Sequence, residues 1–112
     1  RYDIIRRADL YRENIALSVI PEDGVDRVAA AQAADELLNI SGIDTSFVLF
    51  PDQEGRVILS ARSMGDVNVQ VVLEKLGGGG NAATAGAQVP SGSVEAVLQR
   101  LLRAIDQHFE ED

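Results

Sequence analysis

Four consecutive glycines, Gly77, Gly78, Gly79 and Gly80, follow an apolar stretch ending at Leu76 and are closed by Asn81, with Arg62, Ser63 and Asn68 upstream. These are residue types that hold an anion. Arginine offers a phosphate two parallel, charge-assisted donors. Serine adds a hydroxyl, and the N–H groups of a glycine loop can form a concave nest. The carboxamides of Asn68 and Asn81 can read a base edge or a sugar hydroxyl. Each residue also has a plainer reading. A glycine run can be a linker or a helix stop, asparagine a cap or turn residue, and arginine a solvent-facing edge residue. Glycine loses more conformational entropy on folding than any other residue, so an ordered run of them calls for compensation. Close approach of the backbone to a ligand is one form of it. Lys75 has a weaker claim, since a lysine near a helix end needs no ligand to explain it.

The pattern holds no reaction centre. The paired carboxylates Glu22–Asp23 and Asp35–Glu36 and the tail Glu110–Glu111–Asp112 lack a histidine or further aspartate at ligand spacing, and they read as solvated surface. There is no G-x-S-x-G, no H-E-x-x-H, and no Lys-Ser or Lys-Thr after the glycines to make a P-loop. His108, the single histidine, reads as a helix-end residue rather than a metal ligand. The chemistry on offer is binding.

The elements that position these residues must come from one domain of 112 residues. Hydrophobic residues at 46% and charged residues at 25% describe a globular chain. With aromatics at 4%, the core falls to Val, Ile, Leu and Ala. No cysteine is present, so disulfides and thiolate sites are excluded. A net charge of −8 argues against duplex DNA as a partner, although a few local donors can still hold a small anion. No stretch has the length and apolarity of a membrane span, and none has the pattern of a signal peptide. The chain opens in mid-phrase at Arg1 and reads as a piece of a larger protein.

Residues 3–12 read as a short helix or connector and 14–20 as a strand apolar on both faces, hence interior. Residues 26–39 form an Ala-rich helix with Ala30, Ala34, Leu37 and Leu38 on its buried stripe. Residues 46–50 and 56–62 make a hairpin across the turn 51–55. Polarity rises along the second strand toward Arg62, at the strand end where α/β sites usually lie. A short helix capped by Asp66 then runs to the glycines, followed by a strand over 84–89 that Gly86 weakens. The last helix is the plainest: Val94, Val97, Leu98, Leu101, Leu102, Ile105 and Phe109 keep the helical period behind an N-cap at Ser93. The fold class is α/β, a single mixed β-sheet with helices packed against it.

The stretch Ser60-Ala61-Arg62-Ser63-Met64-Gly65-Asp66-Val67-Asn68-Val69-Gln70, followed by Leu76 and the four glycines, resembles the DHHA1 domain of DHH-type phosphodiesterases. The similarity includes Ala31-Gln32-Ala33-Ala34-Asp35 and Ser46-Phe47-Val48-Leu49, and it is strongest toward the membrane-bound bacterial enzymes that hydrolyse cyclic di-AMP. The resemblance implies a C-terminal, cytoplasmic, substrate-binding domain covering 1–112, with its parent anchored in the membrane. The implied partner is an N-terminal DHH domain of the same chain, whose two Mn2+ ions activate water against a phosphodiester. It also implies that Arg62 and the glycine loop touch substrate phosphate. No catalytic or metal residue is expected in 1–112 itself. The substrate is a cyclic dinucleotide or, as in related proteins, a short oligonucleotide such as nanoRNA. A non-catalytic nucleotide-binding module and a homodimer are open alternatives. In the family a histidine that contacts phosphate follows the glycines. Here that position is Asn81, whose amide donates hydrogen bonds without carrying charge.

Overall fold

The computed structural model describes residues 3–111. Its elements run β1 (Ala8–Tyr11), β2 (Ile15–Val19), α1 (Arg27–Leu37), β3 (Thr45–Pro51), β4 (Val57–Ser63), α2 (Val69–Glu74), β5 (Gly79–Gly80), β6 (Thr84–Val89) and α3 (Val94–Glu110). The strands form one sheet in the order β1-β2-β3-β4-β6-β5. Only β2 and β3 pair in parallel, with α1 as the crossover, and the other neighbours are antiparallel.

Two apolar clusters sandwich this sheet. On one face Ile15, Leu17, Phe47, Leu49, Leu59, Ala61, Ala85 and Ala87 meet α2 and α3. On the other, Ala16, Ile20, Val48, Phe50 and Ile58 meet Ala30, Ala33, Ala34 and Leu37 of α1. The small side chains of α1 let it lie close to β3 and β4. Ser46 Oγ donates to the Ala34 carbonyl at 2.7 Å, so even the polar residue beneath this helix is satisfied. Helix α1 is one element over a six-stranded sheet, and it packs mainly on β3 and β4. Ser60 and Arg62 are half-covered, and Thr84, Gly86 and Gln88 stay exposed beside them. That uncovered half-face is where a ligand can reach the sheet.

Most of the sequence expectations hold: the mixed sheet, the interior β2, the β3–β4 hairpin, and α3 behind Ser93, whose Oγ accepts from Ala96 N at 3.0 Å. Three details differ. Residues 3–12 are a turn followed by the edge strand β1, which pairs only with β2. Its hairpin uses Arg12 and Glu13 at φ 52° and 72°, positions where Asn-Gly would have signalled the turn. The α2 N-cap is Asn68 and not Asp66, and the helix spans six residues. Gly79 and Gly80 form an edge strand rather than a loop. No helix among the described residues is long and apolar enough to cross a membrane.

Candidate functional site

Strand parity decides which of the selected residues meet. Ser60 and Arg62 share the uncovered face of β4, opposite Gly86 and Thr84 of β6. Ser63 has the other parity and is buried. Its Oγ accepts from Gly65 N at 3.3 Å and lies 3.4 Å from Thr45 Oγ1. Arg62 and Ser63 therefore do not converge. Because β4 is antiparallel to β3, its C-terminal end lies beside the start of β3, with Thr45 paired to Ser63. The rule that places sites at the C-terminal ends of parallel strands does not apply to β4.

Arg62 is held at two points. Nε donates to Asp35 Oδ1 at 2.8 Å, and Nη1 donates to the Ala61 carbonyl at 2.9 Å. Its side chain is 16% exposed and that of Asp35 64%. Nη2 has no protein acceptor among the described residues, so it remains free for an anion. Asp35, which reads as plain solvated surface in the sequence, was the partner missed. Nothing local signals it, because the two residues meet only when α1 packs on β4.

The glycine run divides into distinct tasks. Gly77 adopts φ 85° and ends α2: its N–H donates to Glu74 O at 3.1 Å, while Gly78 N–H donates to Leu73 O at 2.8 Å. This is the paired closure of a Schellman motif. Gly78 also packs so tightly on β6 that a Cβ would lie 2.3 Å from Gly86 O. At Gly80, φ is 148° and a Cβ would lie 2.3 Å from Thr84 O. Gly79 has neither constraint; nothing lies within 4 Å of a Cβ built there. The nest of four free amides is thus not formed. Asn81 N donates to Thr84 O at 2.7 Å, and antiparallel alternation then turns the Gly80 N–H toward the open edge.

Both asparagines brace backbone. Asn68 Oδ1 accepts from Gln70 N at 3.0 Å and Val71 N at 3.2 Å. Asn81 Oδ1 accepts from Ala83 N and Thr84 N, each at 2.9 Å. The Nδ2 group of Asn81 points from an exposed residue with no partner among the described residues, and it remains a donor at the end of the glycine edge.

A groove of about 540 Å3 crosses the uncovered face, lined by Arg27, Ile58, Leu59, Ser60, Gly77, Gly78, Gly79, Gly86, Ala87 and Gln88. Arg62 stands two residues beyond Ser60 on the same face, about 7 Å along the strand. At the other end, Arg27 lies 3.7 Å from Asp52. Burial raises the Asp52 carboxyl, but hydrogen bonds from the Arg56 side chain and the Arg56 and Glu54 amides outweigh it and hold Asp52 below its ordinary value. The groove carries no carboxylate or imidazole. A larger cavity of about 700 Å3, between α1 and the N-terminal turn, is rimmed by Asp3, Asp26 and Glu36 without a cation, so it disfavours phosphate.

His108 falls in the last turn of α3, but its ring is buried and Nε2 accepts from Asn68 N at 3.2 Å. Its place seven residues after Leu101, on the apolar stripe, was the signal for burial. Among the described residues no three His, Cys, Asp or Glu side chains gather to hold a metal ion. The two Mn2+ ions implied by the resemblance have no ligand set on these residues.

Comparison with known proteins decides the family, because residues 12–111 match the DHHA1 domain. The chain belongs to the DHHA1 family. It is 43% identical over 113 residues to the cyclic-di-AMP phosphodiesterase GdpP of Bacillus subtilis, covering 98% of this chain and 17% of that protein. It is 36% identical over 110 residues to the cyclic-di-AMP phosphodiesterase PdeA of Listeria monocytogenes, covering 97% of this chain and again 17% of the relative. The DHHA1 domain thus spans about a sixth of the length of these relatives. In fold it is similar to an exopolyphosphatase-related protein from Bacteroides fragilis, with a TM-score of 0.78 at 19% identity, over 94% of this chain and 32% of that one.

Proposed function

We propose that this DHHA1 domain holds the phosphodiester substrate of a cyclic-di-AMP phosphodiesterase, and that a DHH domain of the same polypeptide, with two Mn2+ ions, hydrolyses it. The names of its relatives supply the substrate class. The observation that carries the reading is the Arg62 guanidinium, fixed on an uncovered sheet face with Nη2 free. Arg62 receives a substrate phosphate, Gly79 and Gly80 let the ligand approach the backbone, and the Asn81 amide donates where the family has a histidine. Ser63, Asn68, Gly77 and Gly78 shape the site by holding β4, α2 and the glycine edge in place. The groove over Ser60, Gly86 and Gln88 lies where a nucleoside joined to that phosphate can extend. In this reading the domain works on the cytoplasmic side of a membrane-anchored protein.

The test is Arg62→Ala in a protein that includes the DHH domain, assayed with cyclic di-AMP and Mn2+. Loss of a charge-assisted contact costs about 1.5–3 kcal/mol, so kcat/KM falls about 10- to 150-fold. The melting temperature moves little, because the partner carboxylate of Asp35 is 64% exposed and a solvent-screened ion pair contributes about 0–1 kcal/mol to stability. Unchanged kinetics with a large loss of stability would return Arg62 to a structural role. A parallel assay with the linear dinucleotide pApA separates cyclic from linear preference.

A further inference from the structure

We propose that Asp35 is the positioning residue for phosphate capture: it fixes the Arg62 guanidinium so that Nη2 faces the ligand. This rests on the reading of Arg62 given above and adds a second residue, from another element, to the same site.

An arginine has five N–H donors, and which of them meet a ligand depends on how the planar group is held. Here Asp35 Oδ1 takes Nε–H and the Ala61 carbonyl takes an Nη1–H, so two acceptors fix both the place and the rotation of the plane. The anchor for Asp35 is itself firm. Ser46, fully buried, donates to the carbonyl of Ala34, the residue before Asp35, at 2.7 Å. Ser46 is also the register partner of Arg62 across β3 and β4. One buried hydroxyl thus fixes the turn of α1 that presents Asp35 directly beside the arginine strand.

Stability does not account for this pair. Arg62 is 16% exposed but Asp35 is 64% exposed, so water screens the pair from the carboxylate side and it adds little to folding. Its effect on a ligand is larger. A free arginine loses rotamer entropy when it binds, and a pre-oriented one does not. Asp35 also places a negative charge near the incoming phosphate, which weakens the Coulomb attraction. Its contribution is geometric, and the carbonyl of an asparagine can supply the same acceptor without the charge.

The experiment combines two readouts. In the 112-residue chain, 15N spectra observe the Arg62 Nε–Hε group directly. It gives a slowly exchanging signal in the parent and in Asp35→Asn, and exchanges rapidly in Asp35→Ala. In the DHH-containing protein with cyclic di-AMP, Asp35→Ala raises KM about 3- to 10-fold, the range expected from one side chain that must now be immobilised on binding. The kcat and the melting temperature stay close to the parent values. Asp35→Asn restores KM to within about twofold of the parent, since a neutral acceptor still orients Nε–H. In an Arg62→Ala background, Asp35→Ala adds nothing. An unchanged KM in Asp35→Ala, or an equal rise in Asp35→Asn, overturns the proposal. If Arg62→Ala is itself without effect, the reading of the site fails. If Arg62→Ala is impaired while Asp35→Ala is not, only the role of Asp35 fails.

Discussion

The backbone N–H of Asn68 donates to Nε2 of His108 at 3.2 Å, joining the N-cap of α2 to the last turn of α3. With Nε2 as acceptor, a neutral ring carries its proton on Nδ1, which is buried and has no hydrogen-bond partner among the described residues. A doubly protonated ring could not accept this bond. His108 therefore braces the N-cap residue of α2, while Gly77 and Gly78 close its other end.

His108→Leu removes the acceptor and leaves the Asn68 N–H shielded and unpaired, a loss of about 1–2 kcal/mol. Thermal melting should fall by about 4–8 °C per kcal/mol in a domain of this size. His108→Gln, which can place an acceptor near the position of Nε2, should recover part of the loss. Equal melting temperatures for the two variants would show that the bond contributes nothing.

The glycines separate by substitution. Gly78→Ala and Gly80→Ala drive a Cβ into backbone atoms, and such overpacking costs about 1–3 kcal/mol. Gly79→Ala meets open space at an unstrained φ, so the melting temperature should stay level or rise slightly. If substrate approaches the backbone at Gly79, its KM in the DHH-containing protein should nevertheless increase. A stable Gly79→Ala protein with parental KM would place the ligand away from this edge.

Asn81→Asp keeps an acceptor for Ala83 N and Thr84 N, so the loop and the melting temperature should be preserved. The added negative charge should weaken binding of cyclic di-AMP, most strongly at low salt, because added salt screens charges at an exposed position. Calorimetric titration at two ionic strengths checks this. A salt-independent affinity equal to that of the parent would remove Asn81 from the neighbourhood of the phosphates.

Tyr11 and Asp106 predict a two-sided pH dependence of stability. Tyr11 OH donates to Asp106 Oδ1 at 2.7 Å. The bond from Tyr11 is the largest influence holding the Asp106 carboxyl down, joined by Arg12, and the same bond is the largest influence raising the Tyr11 hydroxyl. The lowered carboxyl stabilises the fold above the ordinary aspartate value of about 4, and that contribution is lost as pH falls through the folded value. The raised phenol stabilises below its ordinary value of about 10, and that contribution is lost as pH rises through the folded value. Tyr11→Phe should thus cost about 1 kcal/mol near neutrality, after solvent screening, and progressively less toward either extreme. Melting of both proteins from acid to alkaline pH is the measurement, and a difference constant with pH would contradict it.

Local pattern was enough for α3, whose apolar residues recur at the helical period behind Ser93, and for β2, whose residues are apolar at both parities. It was enough to name Arg62 and the glycine run as candidates, because residue type and proximity to a glycine turn are properties of the chain alone. Strand β1 was not legible. It carries charge, as edge strands do, and its turn residues Arg12 and Glu13 give no glycine signal. The partition of the glycines among a helix cap, a packing contact and an open edge also lay beyond sequence, since it depends on β5 pairing with β6. Tertiary structure alone turned Arg62 outward and Ser63 inward, by covering one face of β4 with α2 and α3. It alone brought Asp35 to Arg62, because side chains 27 residues apart meet only after a helix has packed across strands whose pairing is non-local.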